Sequence, residues 1–266
     1  MERDIPKEII VDELTLLDFD RTLFDTDRFH DIIKVMAYEV AGIVPEHLDL
    51  VKKQKEEQEI SLHTDELLLA MLTDRYTSVQ AAGRIDGPTP DETLSLIFEA
   101  VMRYCIDPEV RESLLLPGAK EYIESLNSSG AIERNEVMIL THGTDPLQML
   151  KIICSGLDYL PRLIMDNSEK GKFLSESRDK QGNYRIIRSD GTMIIARSIV
   201  MVDDKPIIFT DFPTAEQGAR GYLKRTRGKK VLKSQKGLIP KNVEKTYDFP
   251  VTTRVLLGSI AVHNSV

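Results

Sequence analysis

Two pairs of carboxylates stand at the ends of short apolar runs: Asp18 and Asp20 after Leu14, Leu16 and Leu17, and Asp203 and Asp204 after Ile199, Val200, Met201 and Val202. A hydroxyl, Thr141, closes a third run formed by Val137, Met138, Ile139 and Leu140. Gathered in one place, these groups make an acidic, oxygen-rich pocket that attracts a hard divalent cation, Mg²⁺ before others, and through it a phosphate. Asp18 and Asp20 are two residues apart, so on an extended backbone both lean to one side. One can then attack while the other handles protons. Taken alone, Asp18-Phe19-Asp20 reads as an acidic turn and Asp203-Asp204 as a helix N-cap. The recurrence of acids at two run ends sets those readings aside.

A pocket of this kind needs strands that end side by side. Residues 13–18, 137–140, 160–165 and 198–202 read as short buried strands, the last being the strongest. Between the first two, from residue 27 to 113, the period is helical and no strand is evident. Phe29, Ile32, Ile33, Met36 and Val40 share one face, and so do Leu67, Leu68, Met71 and Leu72. Thr89-Pro90-Asp91-Glu92 supplies an N-cap, a proline at the first helical position and a glutamate at the third, ahead of Leu94, Ile97, Phe98 and Val101. Pro117-Gly118 and Asp145-Pro146 open further helices, with stops near Gly130 and at Gly156. Two β-rich runs flank Ser189-Asp190-Gly191-Thr192 as a hairpin before the next strand. Buried strands alternating with helices predict an α/β fold, a parallel sheet with right-handed crossovers and helices on both faces. Ligands bind such sheets beyond the carboxyl ends of the strands, where Asp18, Asp20, Thr141, Asp203 and Asp204 fall.

With these residues in place, the chain resembles the haloacid dehalogenase superfamily. Leu16-Leu17-Asp18-Phe19-Asp20-Arg21-Thr22-Leu23 matches its hydrophobic strand followed by Asp-x-Asp-x-Thr, with Arg21 where a glycine is often found. The run ending in Thr141-His142-Gly143 resembles the second motif, Lys170 the third motif's lysine with Lys172 as runner-up, and residues 198–204 the fourth motif. The similarity spans about residues 12–230. It implies a Rossmann-like core over residues 1–26 and 114–266, with an all-helical cap domain inserted at 27–113. It also implies roles: Asp18 as nucleophile, Asp20 as acid and base, Thr141 and the amides of His142 and Gly143 on phosphate oxygens, and Lys170 offsetting charge. Asp18, the Asp20 backbone carbonyl, Asp203 and Asp204 would hold Mg²⁺. Superfamily members that dehalogenate lack an acid at the position of Asp20. The resemblance therefore points to a phosphatase of a small phosphorylated metabolite or nucleotide. The alternatives are a sugar-phosphate mutase, a nucleic-acid end phosphatase and a catalytically silent regulator.

Charge and composition narrow the setting. With 266 residues and a net charge of -8, the chain can bury a core without staples and repels polyanions at long range. One basic run departs from that average: Arg220, Lys224, Arg225, Arg227, Lys229, Lys230, Lys233, Lys236 and Lys241, with no acid between them. It reads as a solvated edge and loop, and it is where nucleic acid would bind if any did. No apolar run approaches the roughly 20 residues of a membrane span, and residues 1–11 carry no apolar secretory core. A cytoplasmic setting is expected. Cys105 and Cys154, the two cysteines, lie on apolar helix faces and read as core residues of a reducing compartment. His30, His47, His63 and His263 have no metal-ligand spacing and read as surface residues.

Overall fold

The computed structural model describes residues 7–58, 60, 62–81, 87–224 and 240–249. It contains one sheet built from β1 (Glu8–Leu17), β2 (Val137–His142), β3 (Arg162–Met165), β4 (Tyr184–Ile187), β5 (Met193–Asp203), β6 (Ala219–Lys224) and β7 (Val243–Thr246). The order is β3-β2-β1-β5-β6-β7, all parallel, with β4 pairing antiparallel to β5. Helices covering both faces bury the central strands, so Leu14, Leu16, Leu17, Ile199, Met201 and Val202 are fully enclosed.

Two boundaries differ from the sequence reading, for one reason. β5 runs unbroken from the hairpin into the strand at 198–202, because Arg197 and Ser198 interrupt the apolar pattern without interrupting the ladder. Arg197 pairs with Asp12 at 3.3 Å and the Ser198 hydroxyl donates to the Asp12 carbonyl at 3.1 Å. β1 accordingly starts at Glu8, opposite Met193, rather than at residue 13. Strand β6, Ala219–Lys224, carries no β-branched residue and β7, Val243–Thr246, is only four residues long with two charges at its centre, so propensity alone does not announce them.

The chain divides into two compact units, Met1–Phe24, Leu115–His142 and Tyr159–Val266 on one side, and Asp25–Leu114 with Gly143–Asp158 on the other. The first holds the sheet with α6 (Ala119–Ser128) and α8 (Lys170–Glu176). The second is helical: α1 (Thr26–Ala41), α2 (Pro45–Glu57), α3 (Thr64–Ala81), α4 (Pro90–Tyr104), α5 (Pro108–Ser113) and α7 (Asp145–Ser155). Residues 143–158, which the sequence reading assigns to the sheet domain, group with the helical unit because α7 packs on α4 and α5. α1 buries Phe29, Ile33, Met36 and Ala37 against α2 and α4, leaving Val40 exposed at the edge of the stripe. α4 begins on the expected capping box, with Thr89 and Glu92 each bonding the other's backbone N–H. No helix among the described residues is long and apolar enough to cross a membrane.

Candidate active site

The ends of β1 and β5 build the site. Leu17 is paired with Val202, so Asp18, one residue further, emerges beside Asp203 at the end of β5. Carboxylate oxygens of Asp18, Asp203 and Asp204 lie within 4.8 Å of one another. Lys170, the first residue of α8, reaches into this group: its ammonium donates to Asp18 Oδ1 and, at 2.9 Å, to Asp203 Oδ2. The Thr22 hydroxyl donates to Asp18 Oδ2 at 2.9 Å, and Asp203 Oδ1 accepts from the Lys205 amide at 2.8 Å. Asp18, Lys170 and Asp203 are all buried. Of the two lysines that the sequence leaves open, Lys172 is half exposed and pairs with Glu169 at 3.3 Å, so the buried position is Lys170's.

Local backbone explains these placements. Gly171 lets α8 approach the turn after Asp204 closely, since a Cβ there would run into the Ile208 carbonyl oxygen. Its neighbour Lys170 is thereby brought onto Asp203. Arg21 has φ 60°, the left-handed region, within the tight turn where Leu23 and Phe24 both donate to the Phe19 carbonyl. A glycine would adopt this conformation more readily, which accounts for the residue type often found at that place in the motif. Asp20 is half-buried in the same turn, bridged to Phe24, and its carboxylate is not one of the three clustered.

Thr141 extends β2 two residues beyond Ile139, the partner of Leu17. It is fully buried, and its hydroxyl has no hydrogen-bond partner among the described residues. His142 is half-buried at the end of β2, and Gly143, with φ 148°, turns the chain towards α7.

The electrostatics follow from packing three acids around one base. Burial, and then the charge of Asp203, push the Asp18 carboxyl up to about 6 against the pull of Lys170. Asp204 rises to about 6, through burial and then Asp18. Asp203 is raised by burial, with the Lys170 ammonium opposing. Burial alone would lower the Lys170 pKa, but Asp18 and Asp203 more than reverse it, and the ammonium holds its proton above the ordinary lysine range. The site thus carries uncompensated negative charge. The donor set fits a hard cation: three carboxylates supply oxygen only, and Asp204 Oδ1 is buried without a hydrogen-bond partner among the described residues.

One neighbour of the site escapes the sequence reading. Lys224, grouped there with a solvated basic run, is buried at the end of β6. It donates to the Thr22 carbonyl at 2.8 Å and lies 4.0 Å from the ring centroid of Phe249, bracing the turn that carries Asp20 and Thr22. Burial lowers its pKa to about 8, with Asp204 opposing. The only sequence signal is its place at the end of a strand, and that strand is itself inconspicuous. Arg220 is exposed and pairs with Glu13, Lys241 is exposed, and residues 225–239 lie outside the described residues. His263 lies outside them too. His30 is half-buried against Thr64 at 3.2 Å rather than on the surface.

No protein-family profile and no curated protein sequence matches the chain. Solved structures do. A haloacid dehalogenase-like hydrolase of Burkholderia xenovorans is 21% identical with a TM-score of 0.52, over 95% of this chain and 97% of that one. A Bacillus subtilis HAD-hydrolase bound to magnesium is 13% identical with a TM-score of 0.49, over 91% and 95%. A 2-haloacid dehalogenase of Pseudomonas syringae is 16% identical with a TM-score of 0.47, over 96% and 100%. The chain has the haloacid dehalogenase fold, an α/β Rossmann-like architecture with a parallel sheet flanked by helices.

Proposed function

We propose that the protein is a cytoplasmic, Mg²⁺-dependent phosphomonoester hydrolase acting on a small phosphorylated metabolite or nucleotide through an aspartyl-phosphate at Asp18. The observation that carries this reading is the buried cluster of Asp18, Asp203 and Asp204 around Lys170 at two strand ends, with a further acid, Asp20, two residues beyond Asp18. Asp18, Asp203 and Asp204 would hold Mg²⁺, which when bound neutralises charge and orients a phosphate.

The chain's own residues divide the remaining work. A carboxylate oxygen of Asp18 attacks phosphorus while Asp20 protonates the departing alkoxide, and Asp20 then takes a proton from the water that hydrolyses the acyl phosphate. The Thr141 hydroxyl, lacking a partner among the described residues, donates to a phosphate oxygen, joined by the amides of His142 and Gly143. Lys170 keeps its proton and offsets the charge of the pentavalent state. Asp20 favours ester hydrolysis over dehalogenation, which has no leaving group needing an acid at that place. The helical insertion at 27–113 is assigned as the cap that selects the leaving group.

The test is phosphate release from a panel of phosphorylated metabolites and nucleoside monophosphates with Mg²⁺, using Asp18→Asn as the blank. Release should fall by more than about 10³-fold in the variant and disappear with chelator. Halide release from a 2-haloacid without metal, and no phosphate release from the panel, would overturn the assignment. Recovery of an isomerised phosphate would redirect it to a mutase.

A further inference from the structure

The two cysteines, far apart in sequence, meet in the helical unit. Cys105 caps the C-terminal end of α4 and Cys154 lies in the last turn of α7. Both are reduced and only 1% exposed. The packing of α7 on α4 brings their thiols into a mutual hydrogen bond. They line a cavity of about 380 Å³ together with Met102, Arg103, Arg111 and Ile153. Ile106, also on its wall, is 67% exposed, so the cavity opens to solvent.

Arg111 is placed to act on both sulfurs. Its aliphatic stem lies over Gly156, where a Cβ would come within 2.8 Å of Arg111 Cδ, and its buried Nε has no hydrogen-bond partner among the described residues. The two thiols are correspondingly unequal. The hydrogen bond with Cys154, and Arg111 after it, hold Cys105 below the usual thiol range despite burial. The same hydrogen bond, and then burial, push Cys154 up. Two sulfurs and a cationic side chain on the wall of one cavity, with Cys105 the more thiolate-prone, supply a nucleophile and a resolving partner.

We propose that Cys105 and Cys154 are a redox pair that a hydroperoxide converts to an intramolecular disulfide joining the C-terminal ends of α4 and α7. The Cys105 thiolate attacks the peroxide: an S–O bond forms, the O–O bond breaks, and the leaving oxygen takes a proton as alcohol or water. Cys154 sulfur then attacks the Cys105 sulfenic acid. The S–S bond forms, the S–O bond breaks, and the Cys154 proton leaves with the hydroxide as water. Two electrons pass from the two sulfurs to one peroxide. The product clamps α7, the helix that follows Thr141, His142 and Gly143, to α4.

The full-length reduced protein, freed of reductant and treated with one equivalent of hydrogen peroxide, tests this. Expected is a mass loss of two hydrogens, a Cys105–Cys154 cross-linked peptide on non-reducing digestion, and reversal by dithiothreitol. The oxidised form should melt several degrees higher, because the closed loop restricts the unfolded chain. Cys154→Ser should stop at a dimedone-reactive sulfenic acid on Cys105, while Cys105→Ser should yield neither product; circular dichroism confirms that each variant is folded, and Cys154→Ala replaces the serine where it is not. Sulfinic acid in place of the disulfide, intermolecular dimers, or thiols that stay free while the urea-unfolded chain oxidises would each overturn the proposal.

Discussion

The sheet unit and the helical unit bury polar groups on different terms. In the sheet unit Asp18, Lys170 and Asp203 are enclosed and converge on one point, so each charge is buried against another. In the helical unit the buried carboxylate Asp65 accepts a neutral hydrogen bond from Thr144 at 2.7 Å, and apolar stripes and helix caps do most of the holding. Among the described residues, the one group of three clustered carboxylates belongs to the sheet unit. The contrast separates a region whose buried charges cost stability from one held by apolar packing and helix caps.

The sharpest way to break the comparison is to remove the shared cation. Lys170→Met should cost about 3–5 kcal/mol at neutral pH, because it strands buried carboxylates, and Mg²⁺ should recover part of the loss. Lys172→Met, two residues away on the exposed side, should stay within about 0.5 kcal/mol. Urea melts of the two variants side by side check this, and equal effects would mean that the Lys170 contacts carry no weight.

Next in size is the pH response. Asp18 and Asp204 titrate in the fold at about 6 rather than 3.8. An acid whose folded pKa is raised binds more protons folded than unfolded, so its cost to stability is complete above about pH 6 and fades towards pH 4. Mg²⁺ should therefore raise the melting temperature more at pH 7.5 than at pH 5. Scanning fluorimetry at the two values decides, and equal shifts would place the ion away from these acids.

The smallest effect belongs to the helical unit. Thr89→Ala removes the N-cap of α4 and should cost about 1 kcal/mol, with no change in how Mg²⁺ shifts the melt. A lost Mg²⁺ response would mean that the two units do not divide their labour as described.

How far this was legible in the sequence follows the same division. Asp18, Asp203 and Asp204 were readable because acids recur at the ends of two apolar runs, and β1, β2 and β5 were located from the same pattern. Thr89 announced α4 through chemistry local to four residues. Lys170 was preferred to Lys172 only by resemblance, since the close approach at Gly171 that chooses between them is made by residues about forty positions away. β6 and the burial of Lys224 were missed because a strand carrying two bases and a glycine looks like loop, and β7 because four residues with two charges at their centre show no strand pattern. The Cys105–Cys154 contact was invisible for a related reason: each helix shows its own apolar face, and only the packing of α7 on α4 says which residues on those faces touch.

The pairing of β1 with β5 also governs how the molecule can be made. Glu8 faces Met193 and Leu17 faces Val202. On the ribosome Asp18 emerges well before Lys170 and Asp203, and it cannot meet them until the residues between have followed. The helices of residues 25–114 close through nearer contacts and can form meanwhile, as local structure does faster than long-range pairing. Until β5 arrives, β1 has an unpaired edge and a strong apolar face to shelter. Nascent chains arrested before residue 193 should therefore be the species that chaperones hold longest.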